Sequence, residues 1–191
     1  PVLTEEAWDR VTHLWISHEH PDHLSIPSIR GIPEERRKTI TVLFQRRYDT
    51  EVVDWLKKQG FAEVRELDHG KTYELGPDFT IACHQVGHTD SAMLVKTRDR
   101  TILNLNDCET PSSTLKRLVR SAGHIDVLLN QFSIAGWPGN PGDTAAQEEA
   151  AVEVMDNFLR DFYIANPDFV IPFASFVRFS HKESAFMNAG I

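Results

Sequence analysis

The chain has 191 residues, 41% of them hydrophobic and 25% charged, which is typical of a globular protein with a substantial core. Its net charge of -8 argues against a nucleic-acid partner, because contact with a phosphate backbone requires clustered Lys and Arg. No apolar run approaches the ~20 residues of a membrane span, and two cysteines provide no disulfide framework, so we expect a cytoplasmic location.

Short strands and a few helices alternate along the chain, a pattern typical of a layered α/β structure. Runs of β-branched and apolar residues predict strands at 12–17, 39–44, 64–67, 72–75, 79–86, 92–97, 101–105, 125–130 and 168–173. Helical spacing predicts helices at 49–59, 112–122 and 144–164. In the first helix, Val52, Val53 and Leu56 share an apolar face, and Gly60 marks its end.

A dense group of histidines directly follows the first predicted strand. His18, His20, Asp22 and His23 fall within six residues, and the end of a strand followed by a tight turn can aim such side chains at one point. Imidazole and carboxylate together suit zinc or iron. The segment therefore predicts a metal site, with a solvated polar turn as the alternative.

The run His18-Glu19-His20-Pro21-Asp22-His23 resembles the signature of the metallo-β-lactamase superfamily. Two later segments, 86–91 and 102–108, resemble in the expected order a loop that provides a third histidine and a strand that ends in a bridging carboxylate. The resemblance implies a four-layer αββα sandwich that holds one or two metal ions between two sheets.

Members of that superfamily usually carry several strands before the first histidine motif, which here begins at residue 18. We therefore expect residues 1–191 to form a single metallo-β-lactamase-like domain that lacks its N-terminal strands and is an excerpt of a longer protein. The sheet edge left open would allow association with another chain. The oligomeric state is not predicted.

The resemblance also implies roles for single residues. His18, His20 and His88 would bind one metal ion, Asp22 and His23 the second, and Asp107 would lie between them. The expected cofactors are two divalent ions, zinc first, with iron or manganese as alternatives. Asp22 is also expected to orient the attacking water or to accept its proton.

Simpler readings remain open for several of these ligands. His88 could be a histidine at a strand end that is bonded to backbone, and Asp107 could belong to a turn or helix cap. The stretch 170–176 lacks the histidine that many members carry after the last strand. His181 could take that place if the chain folds back. Otherwise His181 begins a helix or contacts substrate, or the site is mononuclear with an incomplete second position.

Two functions from different classes follow from the resemblance. The pattern is most similar to the group of ascorbate-6-phosphate lactonases and N-acyl-phosphatidylethanolamine phospholipases. That similarity implies an enzyme in which a metal-bound hydroxide cleaves an ester, lactone, amide or phosphodiester of a small-molecule substrate.

Segments 88–93 and 172–176 also resemble part of CMP-N-acetylneuraminate hydroxylases. This second likeness implies the alternative function, a non-haem iron oxygenase module that receives electrons from a partner domain. A non-catalytic scaffold with a relic site is a weaker third reading. Metal identity separates the first two, because nitrogen and oxygen ligands alone accept zinc, manganese or iron.

Overall fold

A computed structural model describes residues 5–134, 136–175, 179 and 181–190. These residues form a mixed α/β structure with two sheets. The strands are β1 (His13–Ile16), β2 (Thr41–Gln45), β3 (Glu63–Leu67), β4 (Thr72–Gly76), β5 (Phe79–Val86), β6 (Asp90–Lys96), β7 (Thr101–Asn106), β8 (Val127–Gln131) and β9 (Phe169–Phe173). The helices are α1 (Glu5–Trp8), α2 (Ile26–Gly31), α3 (Glu34–Arg37), α4 (Glu51–Lys57), α5 (Ser112–Ala122), α6 (Thr144–Ala165) and a final 3₁₀ helix (Ala185–Gly190).

The first compact unit comprises the chain up to Tyr73 together with Ala82–Ser91. Its sheet has the order β1-β2-β3, and both pairings are parallel. Side chains alternate between the two faces of a strand, so one face of this sheet packs with α2 and α4 into a core. The buried members of that core are Ile16, Ile29, Ile32, Ile40, Val42, Phe44, Val53 and Leu56.

The second compact unit comprises Glu74–Ile81 and the chain from Ala92 onward. The six-stranded sheet has the order β4-β5-β6-β7-β8-β9, in which β6 pairs antiparallel with β7 and the last three strands run parallel. Helix α5 buries Leu115 and Leu118, which lie three residues apart on one face. Helix α6 contacts α5 and β8.

The nine predicted strands and the three predicted helices are all present, with ends that differ by a few residues. The short helices α1, α2 and α3 were not predicted, because four to six residues are too few for an apolar period of 3.6 to be recognised. Helix α2 begins instead with a local signal, the Ser25 side chain that accepts a hydrogen bond from the Ser28 backbone N–H. None of the described helices is both long and apolar enough to cross a membrane.

Each compact unit contains one cysteine, and both side chains are buried and outside any disulfide bond. Burial raises the pKa of the Cys83 thiol to about 11, although a hydrogen bond with Ser91 acts in the opposite direction. Cys108 follows β7 and accepts a hydrogen bond from the Asn106 side chain at 3.7 Å. With its pKa raised in this way, the Cys83 thiol is a poor nucleophile, because the thiolate is the reactive form.

Candidate metal centre

The histidine motif forms a tight turn immediately beyond the carboxyl end of β1. The backbone N–H groups of His23 and Leu24 both donate to the His20 carbonyl, at 2.9 and 2.8 Å. His18 is fully buried at the start of this turn, whereas His20 is exposed. The turn therefore brings a buried imidazole and a solvent-accessible imidazole of the same motif together.

Three side chains of the first unit present ligand atoms to one point. His18 Nε2 lies 2.8 Å from His20 Nδ1 and 3.8 Å from Asp90 Oδ1, and all three atoms lie within 4.8 Å of one another. Tetrahedral zinc, with bonds of about 2.0–2.1 Å, places neighbouring ligand atoms about 3.3 Å apart. The two measured separations lie on either side of that value, so these residues fit a metal ion.

Hydrogen bonds through Ser17 orient the imidazole rings. The Ser17 hydroxyl is bonded to His18 Nδ1 at 3.1 Å and to His23 Nδ1 at 3.3 Å, and the rings of His18 and His23 lie 4.1 Å apart. With Nδ1 of His18 engaged in this way, Nε2 is the nitrogen available to a ligand. Fixing the second ring nitrogen by a hydrogen bond is how proteins set the direction and tautomer of a metal-binding histidine.

The carboxylate of Asp90 reaches this cluster because the turn before β6 is tied to the end of β1. Gln45, at the end of β2, donates from Nε2 to the Ser17 carbonyl at 3.0 Å and also to the Thr89 carbonyl. The Ser91 hydroxyl donates to the same Ser17 carbonyl at 2.7 Å. Gly87 opens the turn with a φ of +60°, a conformation that glycine adopts without steric cost.

His88, the third histidine expected in the first position, lies on the exposed part of that turn. It lines an open pocket of about 480 Å³ together with Gln45, Arg46, Arg47 and Tyr48. Among the residues that the structure describes, His88 belongs to none of the groups whose ligand atoms lie within 4.8 Å of one another. The structure brings Asp90 to His18 and His20, and a ligand role for His88 stays a prediction.

Asp22 and His23, the residues expected in a second position, are neighbours in space as well as in sequence. Asp22 Oδ2 lies 3.5 Å from His23 Nε2, and the Asp22 side chain is 44% exposed. This separation is also compatible with two ligands of one ion. The ligand roles that the resemblance implies for Asp22 and His23 stay predictions.

Asp107 lies in the second compact unit, directly after β7. The preceding residue, Asn106, has a φ of +49°, and its backbone N–H donates to Asn104 Oδ1 at 3.0 Å. The Cys108 N–H donates to the Leu105 carbonyl at 3.0 Å. Asp107 is therefore held in a tight turn at a strand end, where both the bridging role and the turn role remain open.

His181 lies on an exposed part of the chain. Its side chain is 87% exposed, and its Nδ1 lies 2.7 Å from Glu183 Oε2. Within the described part of the chain, His181 belongs to no group of converging ligand atoms. A ligand role for His181 stays a prediction, beside the alternatives of a helix start, a substrate contact and a mononuclear site.

A second group of ligand-capable residues lies at the amino ends of β8 and β9, in His124, Asp126 and Asp168. The hydrogen bond that His124 donates to Asp168, at 3.0 Å, raises the pKa of His124. The Thr101 N–H and then the Arg100 guanidinium lower the pKa of Asp126. Because Arg100 already pairs with Asp126 and the His124 ring with Asp168, the group is a polar network on the surface.

Sequence reasoning missed three residues of this centre: Asp90, Ser17 and Gln45. Asp90 stands two residues after the predicted ligand His88, so the segment 86–91 that was singled out already included it. In extended backbone, residues two apart point to the same side, and the spacing alone does not decide which of them reaches the cluster. The hydrogen bonds of Gln45, which join segments far apart in sequence, had no signal in the sequence.

Comparisons with known proteins agree with this architecture. No protein-family model matches the chain, and no curated protein sequence is significantly similar to it. Among solved structures, it is similar to the metallo-β-lactamase fold protein YhfI from Bacillus subtilis, with a TM-score of 0.55 and 14% identity over 89% of this chain and 78% of that chain.

Two further solved structures show the same similarity. The short form of human tRNase Z matches with a TM-score of 0.59 and 14% identity over 86% of this chain and 74% of that chain. Zn²⁺-bound PqqB from Methylobacterium extorquens matches with a TM-score of 0.53 and 12% identity, over 70% of this chain and 48% of that chain. At these identities the likeness concerns the fold.

Proposed function

The chain has the metallo-β-lactamase fold, and from this premise we propose that it is a metal-dependent hydrolase. Its reaction is the cleavage of an ester, lactone, amide or phosphodiester bond in a small-molecule substrate. The observation that supports this proposal is the convergence of His18 Nε2, His20 Nδ1 and Asp90 Oδ1 within 4.8 Å of one another. Such a donor set, reached from solvent through the exposed His20, suits a catalytic ion better than a sealed structural ion.

A divalent ion held by this set lowers the pKa of bound water towards neutrality and polarises the bond to be cleaved. Zinc is the first choice, supported by the Zn²⁺ described for the structurally similar PqqB. His18 and His20 supply neutral nitrogens and Asp90 supplies one negative charge. Asp22 and His23 are the proposed ligands of a second ion, and Asp107 is the proposed carboxylate between the two ions.

Asp22 is the proposed proton acceptor. Its carboxylate is partly exposed and lies 3.5 Å from His23 Nε2, so it can exchange protons with solvent while staying beside the cluster. A carboxylate in this position accepts a proton from the attacking water and returns it to the leaving group. The Ser17 hydroxyl keeps the neighbouring rings in place.

A non-haem iron oxygenase remains a second candidate, because one observation favours it. His18, His20 and Asp90 are two histidines and one carboxylate, the ligand set of many iron(II) oxygenases. With only this set occupied, positions on the ion stay open to substrate and dioxygen. Metal content and oxygen dependence therefore decide between the two functions.

The deciding experiment measures metal content and activity on the same preparation. The protein is purified without added metal, analysed for zinc, iron and manganese, and assayed with ester, lactone, amide and phosphodiester substrates in air and without oxygen. Bound zinc with oxygen-independent hydrolysis supports the hydrolase. Stoichiometric iron with oxygen-dependent oxidation and no hydrolysis would contradict the hydrolase and support the oxygenase.

The matched variants are His20→Ala and His124→Ala. Both replace an exposed histidine, but only His20 belongs to the proposed centre. We expect His20→Ala to lose the metal ion and the hydrolysis, and His124→Ala to keep both. Full activity in His20→Ala would remove the proposed mechanism.

Compartment and partners are also proposals. Two buried cysteines that form no disulfide bond support a reducing cytoplasm. The net charge of -8 favours a small-molecule substrate over a nucleic acid.

A further inference from the structure

An open pocket of about 490 Å³ lies beside the histidine motif, in the first compact unit. This volume falls within the range of about 300–1,000 Å³ that is typical of small-molecule sites. Its apolar walls come from the turn after His20, the start of α2 and one face of α4: Pro21, Leu24, Ile26, Pro27, Val52 and Trp55. The cavity is thus large enough for a substantial part of a substrate.

The pocket is preformed by the core beneath it. Leu24, Val52 and Trp55 pack against the buried cluster of α2, α4, β1 and β2. Val52 and Trp55 are three residues apart in α4 and therefore share a helix face. Side chains held in this way offer an apolar surface without a large loss of conformational entropy on binding.

The polar groups at the rim determine what charge the pocket accepts. Glu19 forms an ion pair with Arg47, so its charge is compensated. Glu51 lines the same pocket, and it takes part in none of the ion pairs found in the described part of the chain. An uncompensated carboxylate next to apolar walls repels an anionic group and leaves neutral groups unaffected.

The pocket adjoins the proposed metal centre along the chain. Glu19 and Pro21, which both line it, are the two residues that flank the proposed ligand His20. This adjacency is the basis for assigning the pocket to a substituent that lies next to the reacting bond.

We infer that this pocket binds an uncharged alkyl or aryl group of the substrate and so determines which substrates are cleaved. This inference rests on the proposed hydrolase function and names the substrate class of that same site. The hydrophobic effect supplies the affinity, and Glu51 supplies the discrimination against anionic chains.

Binding is tested first, without reference to activity, with the uncharged dye Nile red, which fluoresces in apolar surroundings. The wild-type chain should bind the dye, and octanol should displace it about tenfold more effectively than octanoate, because Glu51 repels the carboxylate. Trp55→Ala removes the largest wall of the pocket, and Tyr163→Ala, an exposed aromatic on α6, is the matched control.

Trp55 also packs against the core, so a second variant separates binding from stability. Ile26 is 46% exposed and occupies the first turn of α2, where an acidic side chain is tolerated. Ile26→Glu should keep the fold and weaken dye binding about tenfold, because it introduces a charge among the apolar walls. Circular dichroism checks that both variants are folded.

Activity is tested with p-nitrophenyl esters of straight-chain acids, from acetate to octanoate. For the metal-loaded wild type, kcat/KM should rise about two- to fourfold per added methylene while the chain fits the pocket. Trp55→Ala and Ile26→Glu should flatten this series, and Tyr163→Ala should retain it.

The outcomes separate the two proposals. Hydrolysis without dependence on chain length, or dye binding that is equal in the wild type and both pocket variants, overturns the inference and leaves the hydrolase standing. Dye binding that is lost in both variants, with no hydrolysis of any ester, lactone, amide or phosphodiester, keeps the pocket as an apolar binding site and overturns the proposed hydrolase.

Discussion

Ser17 is the residue on which the orientation of the histidine cluster depends. Its hydroxyl is bonded to two imidazole rings, and its carbonyl accepts from Gln45 and Ser91. The Ser17 side chain therefore orients the imidazole rings, whereas its backbone carbonyl stabilises the fold. A substitution that removes only the hydroxyl separates the two contributions.

We expect Ser17→Ala to weaken metal binding about 10–100-fold, as is usual when a hydrogen bond that orients a ligand is lost. The backbone hydrogen bonds remain, so the protein should stay folded. Titration of the metal-free protein with zinc measures the change. Ser121→Ala, which removes a hydroxyl bonded to the Leu118 carbonyl in α5, should bind zinc as the wild type does.

The identity of the third ligand can be tested directly. Asp90→Asn keeps the shape of the side chain but removes its negative charge from a position 3.8 Å from His18 Nε2. We expect this variant to lose at least about tenfold in zinc affinity, and His88→Ala to lose less, because His88 lies on the exposed turn. The reverse order would restore the ligand set that the family resemblance implies.

Asp161 is a buried carboxylate in α6 with a pH dependence of its own. It accepts hydrogen bonds from Asn130 at 3.2 Å and from Arg160 at 2.7 Å. Burial nevertheless raises its pKa above the ordinary value of an aspartate. The folded state therefore binds this proton more tightly than the unfolded state does.

Ionisation of Asp161 therefore destabilises the folded state, and the size of this effect depends on pH. Its contribution to stability should fall as the pH rises from about the unfolded pKa through the folded pKa. Asp161→Asn cannot titrate at this position. Its free energy of unfolding should therefore increase relative to that of the wild type as the pH rises across that acidic window. Urea unfolding at a series of pH values measures the difference, and an unchanged difference would contradict the raised pKa.

At the scale of elements, Gln45 connects β1, β2 and the turn before β6. It is almost fully buried, and its amide donates to the carbonyls of Ser17 and Thr89. Gln45→Leu should lower the free energy of unfolding by about 1–3 kcal/mol, because the Thr89 carbonyl loses this donor. Gln59→Leu, at the end of α4 and half-buried, should cost less. Chemical denaturation of both variants measures the difference.

The long elements were predictable because their patterns are strong. Strand β5 and helix α5 occur with the predicted bounds, since a strand-like run and helical spacing extend over eight and eleven residues. Helix α2 depends on a single cap and contains a proline at its start, and that signal is shared by ordinary turns. Local chemistry determines such short elements, and periodicity does not reveal them.

The candidate site was predictable to the extent that it is contiguous. His18, His20 and His23 were found because they lie in one short segment. Asp90 lies more than 70 residues after His18 in the sequence. Its approach to His18 depends on the hydrogen bonds of Gln45 and Ser91. Contacts between distant segments arise from tertiary packing, which no local pattern encodes. The roles of His88, Asp107 and His181 therefore stay predictions.

At the scale of the whole molecule, similarity of fold persists at 12–14% identity with the solved structures that match. The histidine motif and the order of the later segments were sufficient to predict that fold, because metal ligation restricts residue type and spacing far more than a core does. The core tolerates many apolar substitutions. The number of domains is not determined by these comparisons, and a single cooperative domain remains our proposal.

Alkylation of the two buried thiols during unfolding tests that proposal. One lies in each compact unit, so brief exposure to iodoacetamide at rising urea concentrations, followed by peptide mass spectrometry, reports when each unit opens. For one cooperative domain, Cys83 and Cys108 should become alkylated at the same urea midpoint. Alkylation of one at a clearly lower concentration would mean that the chain unfolds in two stages.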